Sequence, residues 1–232
     1  MPTAVVTGAN SGIGHAFANL LINEGYKVYA LDKDQGHGLA ALSGKATTGI
    51  LDVSSIESIL EFKADIQDET IDLLLNIAGI AFSPAKDGLE TTNVDILQQT
   101  FAVNTFGPLL VTQTLLPNLL KSSTPKLGIV SSRVGSVGDN STGGNYAYRA
   151  SKAAVNSIGK SLAVELKDRG VVVTILHPGI VKSNIFQSKV DFPPDAVEPD
   201  EVARKLWDNI VSQKGIQDTG KFWHREGYEL PW

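Results

Sequence analysis

Thr3-Ala4-Val5-Val6-Thr7-Gly8-Ala9-Asn10-Ser11-Gly12-Ile13-Gly14 is a short apolar run that breaks into glycines and opens onto a stretch of helical period. Five residues, four of them β-branched, followed by a turn and a helix form the first half of a βαβ unit. Gly8, Gly12 and Gly14 carry no side chain, so the backbone around Asn10, Ser11 and Ile13 can approach a diphosphate, held by amides and the positive end of the helix. A plain glycine-rich turn would read the same way. The residues farther along the chain favour the nucleotide site.

Outward from this stretch, apolar runs at Lys27–Leu31, Thr47–Ile50, Leu73–Asn76, Lys126–Ser131 and Val171–His177 alternate with segments of helical period. That alternation predicts a parallel sheet buried on both faces: an α/β, Rossmann-type doubly wound fold in three α/β/α layers. The 232 residues, 42% hydrophobic, suit a single domain spanning 1–232. Thr91 to Leu120 reads as one long helix, bent near Gly107-Pro108 where proline removes a backbone donor. A second helix runs from Tyr148 to Arg169 and stops at Gly170. Residues 183–200, with Phe186, Phe192, Pro193, Pro194 and Pro199, lose the rhythm and are expected to form a substrate lid. Val202, Ala203, Leu206, Trp207 and Ile210 recur at core-facing spacing. The aromatic tail from Gly220 is expected to pack.

Composition narrows the function. A net charge of -5 with scattered lysines offers no basic stripe for nucleic acid. The absence of cysteine excludes disulfides, thiolate catalysis and cysteine-bound metal. His15, His37, His177 and His224 form no spaced ligand set, so no metal is expected. The first residues carry no basic leader and no long apolar span, which points to a cytoplasmic protein without a membrane partner.

Strand two ends at Asp32, eighteen positions after Gly14, where a carboxylate can bind an adenosine ribose and repel a 2′-phosphate. NAD(H) is therefore the preferred cofactor. Lys33 beside it can bind that phosphate, so NADP(H) is not excluded. Asp52-Val53 closes strand three, where Asp52 either meets the adenine edge or caps the next helix. Tyr148 and Lys152 lie four residues apart on one helix face. A nearby ammonium favours the phenolate and is expected to lower the tyrosine pKa from its usual value near 10, giving an acid/base for a carbonyl or alcohol.

Taken in order, Thr7-Gly8-x-x-x-Gly12-x-Gly14, Asp32, Asn76-Ile77-Ala78-Gly79, Val103-Asn104-Thr105-Phe106-Gly107, Ser131-Ser132, Tyr148-x-x-x-Lys152 and Pro178-Gly179-Ile180-Val181 resemble the classical short-chain dehydrogenase/reductase family over nearly the whole chain. Ser132 through Arg149 and the ending Gly227 to Trp232 are most similar to the branch of sniffer-type carbonyl reductases and the bacterial C-factor. Two departures stand out. Asn76-Ile77-Ala78-Gly79 has isoleucine where the family has a second asparagine, and Ser132 lies sixteen residues before Tyr148, a wider interval than usual. Ser136 is nearer in count, but Ser132 follows the strand directly and matches Ser-x-x-Gly.

The resemblance implies hydride transfer between a nicotinamide and a substrate carbon, with Tyr148 exchanging the proton. It implies that Ser132 donates to the substrate oxygen and that Lys152 tunes Tyr148 and holds the nicotinamide ribose. Asn104 would bend its helix and anchor a water leading to Lys152. Asn76, Ala78 and Gly79 would approach the cofactor, while Pro178, Gly179, Ile180 and Ser183 would flank the carboxamide. The implied substrate is a small carbonyl or secondary alcohol on a hydrophobic skeleton, met by the Ser136–Tyr146 loop, Phe82 and the 184–197 lid. A homodimer or homotetramer is implied, with Phe101, Leu109, Val155, Ile158 and Leu162 as outward positions that otherwise face the sheet. Redox-neutral chemistry on the same scaffold and a nucleotide-sensing signalling role stand as alternatives.

Overall fold

The computed structural model describes residues 1–185 and 192–232. Among the described residues, seven strands run β1 (Thr3–Thr7), β2 (Lys27–Asp32), β3 (Thr47–Ile50), β4 (Leu73–Asn76), β5 (Lys126–Val130), β6 (Val172–His177) and β7 (Lys221–His224). They form one sheet in the order β3-β2-β1-β4-β5-β6-β7, and every neighbouring pair is parallel. The helices are α1 (Gly12–Asn23), α2 (His37–Leu42), α3 (Ile56–Ile66), α4 (Val94–Phe101), α5 (Gly107–Leu119), α6 (Tyr146–Leu166) and α7 (Pro199–Leu206). This is the expected doubly wound Rossmann-type architecture. Strand order reverses between β1 and β4, which opens a crevice at the carboxyl ends of the strands.

Side chains alternate across the sheet and so build two cores. Val5, Leu74, Leu127 and Ile129 face α3, α5 and α6 with Phe62, Leu115 and Val155. Ala4, Val6, Leu73 and Leu75 face α1 and α7 with Phe17, Leu21 and Leu206. Each fully buried leucine or phenylalanine contributes roughly 1.5–3 kcal/mol from burial. Val155, expected at an outer position, is buried against the sheet, and Leu162 packs beside it. Their apolar character is thus explained within one chain.

Three elements differ from the sequence expectation. The aromatic tail does pack, but Lys221–His224 also pairs with β6 as a seventh strand. The long helix breaks at a π turn, Ala102–Phe106, one turn before Gly107-Pro108. Pro108 sits at the start of α5, where its missing N–H costs little. Helix α6 starts at Tyr146, two residues early, and passes through a 3₁₀ turn, Lys167–Arg169, to a left-handed Gly170. In the expected lid, Val197 is tied back by its N–H to the Ile180 carbonyl at 3.0 Å, and its own carbonyl accepts from Lys182 N at 2.9 Å. Phe186, named there, lies outside the described residues. Among the described residues no helix is long and apolar enough to cross a membrane.

Candidate active site

One cavity of about 780 Å³ lies along the carboxyl ends of the strands, lined by residues from Gly8 to Pro193. That volume is in the usual range for a ligand or cofactor site. At one end, β1 runs into Gly8 and Gly12, both left-handed with φ of 72° and 54°, which a side chain would strain. A Cβ on Gly8 would stand 2.9 Å from the Ala78 Cα, and one on Gly14 would fall on the Gly8 carbonyl. The turn is therefore folded as tightly as glycine permits. Ser11 precedes α1 without capping it, and the first turn holds no acidic residue, so the positive helix end is left for an anion. Gly8, Ser11, Gly12, Ile13 and Gly14 all line the cavity. These residues fit a dinucleotide diphosphate.

Asp32 lines the same cavity, and its carboxylate accepts from Asn10 N at 3.0 Å. Lys33 is exposed on the rim, 3.7 Å from Asp34. Of the two roles open to Asp52, capping α3 falls to Ser55, whose Oγ accepts from Ser58 N at 3.2 Å. Asp52 and Val53 remain on the cavity wall. Asn10 and Asn76 are not on that wall. Asn10 Oδ1 accepts from Leu39 N at 3.1 Å, tying the glycine turn to α2. Asn76 is buried, donating to Thr112 Oγ1 at 3.1 Å. Where the family's second asparagine is replaced by Ile77, the Thr7 hydroxyl braces the strand end, accepting from Ile77 N at 3.0 Å and Ala78 N at 3.1 Å. Ala78 and Gly79 line the cavity.

The catalytic candidates meet at the other end. Ser132 follows β5, Tyr148 and Lys152 project from α6, and all three line the cavity. Ser136 does not; its Oγ accepts from Asp139 N at 3.3 Å. Lys152, 2% exposed, donates from Nζ to the Val130 carbonyl at 3.0 Å and lies 5.8 Å from the Tyr148 ring centre. Burial pushes the Lys152 amine down to about 8. Burial likewise pushes the Tyr148 phenol up to about 12, opposed by hydrogen bonding with Ser132. The expectation that Lys152 lowers the phenol pKa is thus not met in the free protein: desolvation of the phenolate dominates, and the group that opposes it is Ser132. At neutral pH the phenol is a held proton donor.

Asn104 stands behind this group, inside the π turn. Its Oδ1 accepts from Ile80 N and its Nδ2 donates to the Ile80 carbonyl, both at 2.9 Å, with a further bond to Ser151 Oγ at 3.1 Å. These bonds join three segments far apart in sequence and hold the helix open. Pro108, four residues on, has no N–H to give the Asn104 carbonyl. A Cβ on Gly79 would lie 3.3 Å from Asn104 Oδ1 and 3.7 Å from Lys152 Nζ, so the glycine marks where those groups converge.

Pro178, Gly179, Ile180 and Ser183 close the cavity's near wall. Gly179 is left-handed at φ 76°, and Arg225 Nη1 donates to the Pro178 carbonyl at 2.8 Å. Sequence reasoning missed Arg225, because it reaches this turn from the tail. His177 stands behind the turn, accepting at Nδ1 from Arg133 N at 3.2 Å with its ring 5.3 Å from that of His224. Burial, then His224, Arg133 and Arg225, push its pKa down to about 3. The folded value lies below the unfolded one, so the unfolded chain takes the extra proton as pH drops. This contribution to stability is whole above pH about 6.5 and is lost progressively toward pH 3. Melting temperature should fall by roughly 4 °C or more between pH 7 and pH 5, and His177→Asn should flatten that part of the profile in a calorimetric pH series.

The substrate end is apolar: Ile80, Pro84, Val134, Ile185, Phe192 and Pro193, with the Asn184 amide among them. Phe82 instead packs with Ile96 and Ala147. Most of the Ser136–Tyr146 loop lines a separate hollow of about 240 Å³ beside Arg149.

The family model for short chain dehydrogenases matches residues 2–193. A curated relative from Rhodococcus sp. (strain AD45), 1-hydroxy-2-glutathionyl-2-methyl-3-butene dehydrogenase, is 34% identical over 236 residues, covering 100% of both chains. Among solved structures, the NADPH-bound carbonyl reductase from chicken fatty liver superposes with a TM-score of 0.88 at 26% identity, over 100% of this chain and 99% of that one. The carbonyl reductase Sniffer of D. melanogaster gives 0.86 at 24% identity over the full length of both, a likeness of fold.

Proposed function

The chain belongs to the short chain dehydrogenase family of NAD(P)-dependent oxidoreductases, and from that premise we propose that it interconverts a carbonyl and a secondary alcohol on a small, uncharged, apolar substrate. The observation that carries the proposal is the placement of Ser132, Tyr148 and Lys152 on one wall of the cavity whose far end is the glycine turn. The dinucleotide, when bound, supplies or accepts the hydride. This chain's residues do the rest. Tyr148, protonated at neutral pH, hands its proton to the substrate oxygen as charge grows there. Ser132 donates a second hydrogen bond to the same oxygen, a dipole already aimed before reaction begins. Lys152 holds a ribose hydroxyl and restores the phenol proton, with the Asn104 carbonyl as the anchor for a connecting water. Pro178, Gly179, Ile180 and Ser183 orient the carboxamide.

NAD(H) is the preferred form in this proposal, because a carboxylate at Asp32 stands where an additional 2′-phosphate would bring negative charge. None of the described residues lining the substrate end carries a charge. That supports a neutral hydrophobic ketone over an ionised conjugate of the kind in the Rhodococcus relative's name. A cytoplasmic location and a homodimer or homotetramer belong to the same proposal, carried by the sequence resemblance.

Titration of the protein with NADH and NADPH by nicotinamide fluorescence tests the cofactor preference. The expected result is at least roughly tenfold tighter binding of NADH, a difference of about 1.4 kcal/mol. Equal or tighter NADPH binding would transfer the preference to Lys33. Each complex is then mixed with cyclic and aromatic ketones, aldehydes and a glutathione conjugate while absorbance of the reduced nicotinamide is followed. Oxidation with the neutral ketones supports the reading, and oxidation confined to the conjugate would overturn the substrate class.

A further inference from the structure

Helix α6 carries both Tyr148 and Lys152, yet its own first residue does not cap it. Asn145, at the N-cap, is left-handed with φ 49°, and its side chain makes no capping bond. The preceding Gly143 and Gly144 are left-handed too, at φ 63° and 65°. An N-cap side chain normally accepts from the second or third helical amide, and a helix start without such an acceptor is destabilised. Here both acceptors come from elsewhere. Asp87, 1% exposed, accepts from Ala147 N at 2.8 Å and from Tyr148 N at 3.0 Å, one carboxylate oxygen to each. Thr92 Oγ1 donates to Asp87 Oδ1 at 2.7 Å. The carboxylate is 60 residues from the helix it caps, on the segment that begins with the cavity-lining Ile80 and Pro84.

We propose that Asp87 is a positioning residue for the reaction: from the substrate-side segment it grips the main chain of Tyr148 and sets the height of the phenol against Ser132 and the substrate oxygen. The inference rests on the proposed dehydrogenase reading. Three features support it. The bond is to the peptide N–H of Tyr148 itself, so a shift at Asp87 moves that residue directly. The carboxylate lies at the positive end of a 21-residue helix, where a negative charge is held favourably even when buried. Asp87 also links the Ile80–Asp87 wall to the catalytic helix, so a displacement of that wall is passed to the phenol. Lys152, a full turn further along α6, has its own anchor at Val130 and the cofactor end does not depend on Asp87.

Asp87→Asn is nearly the same shape, but its amide turns a donor toward one of the two helix N–H groups. A misplacement of the reacting group by about 1 Å costs on the order of 100-fold in rate, so kcat should fall by roughly 10- to 100-fold. The dissociation constant for NADH should change by less than about twofold, because the diphosphate and ribose contacts remain. Thr92→Val, which removes only the bond that orients Asp87, should lower kcat by a smaller factor with the same unchanged NADH affinity. A generally loosened fold would instead weaken NADH binding in step with kcat. Both variants are measured with a ketone that the wild-type protein reduces, alongside Tyr148→Phe. If Tyr148→Phe loses turnover while Asp87→Asn and Thr92→Val keep wild-type kcat, the inference fails and the dehydrogenase reading stands. If Tyr148→Phe retains turnover, the reading itself fails. Should Asp87→Asn not fold, Thr92→Val decides: unchanged kcat overturns the inference, and a lower kcat at constant NADH affinity supports it.

Discussion

Tyr148→Phe should reduce kcat for ketone reduction by roughly 1000-fold while leaving NADH affinity within about twofold of wild type. The substitution removes one oxygen from a wall otherwise unchanged, so the loss measures the proton transfer and its hydrogen bond with Ser132. The free protein holds this phenol protonated, with a pKa pushed up to about 12 by burial. A group in that state is a donor at neutral pH. The size of the effect follows from general acid catalysis, usually worth 100- to 10,000-fold. Single-turnover absorbance of the reduced nicotinamide is the check, since it separates chemistry from product release. A variant within about threefold of wild type would remove Tyr148 from the proton transfer.

Gly14→Ala is the second large effect, and it acts at the opposite end. The added methyl would fall on the Gly8 carbonyl, and a methyl on Gly8 would in turn meet the Ala78 Cα, so the turn has little room on either side. Neither backbone is free to yield, because Thr7 holds Ile77 and Ala78 by their N–H groups. Overpacking of this kind costs about 1–3 kcal/mol. The turn must then open, pulling the α1 amides away from the diphosphate. NADH affinity should drop by at least roughly 100-fold, equivalent to about 2.7 kcal/mol, with a lower melting temperature that saturating NADH no longer restores. Isothermal titration with thermal melts in the presence and absence of NADH would show it. Wild-type affinity would mean that the diphosphate is held elsewhere.

Much of the fold and of the site is legible in the sequence. The first six strands announce themselves through short apolar runs set between helical periods, and the glycine turn through spacing alone. Ser132 and the residues after Pro178 follow the ends of β5 and β6, and Tyr148 and Lys152 sit one turn apart on α6, so spacing alone pairs them and the geometry of the cavity brings the two sets to one wall. The features that escape a sequence reading depend on partners distant in the chain. Thr7 reaches across 70 residues to Ile77, Asp87 across 60 to Ala147, and Arg225 across 47 to Pro178. No local pattern encodes those bonds. Strand β7 is four residues long and gains its ladder from β6. Asn10 sits in the expected turn, but its side chain serves α2, a choice made by the amide of Leu39. The tyrosine pKa departs from expectation for a related reason: spacing gives the distance to a cation and says nothing about the water excluded around both.

The π turn at Ala102–Phe106 also makes chain length a functional variable. An α-helix advances about 100° per residue, so a π turn inserts one residue beyond what a continuous helix of the same span would use. Deleting a single residue here would draw α4 and α5 toward one continuous helix, in which Pro108 still lacks the N–H for the carbonyl one turn before it. It would also swing the Asn104 side chain about 100° away from Ile80 and Ser151. The deletion should therefore leave helical content by circular dichroism close to that of the parent chain, with the Asn104 link between Ile80 and Ser151 undone. Local regularity and chemistry are opposed at this position, and the longer count is the one this chain has kept.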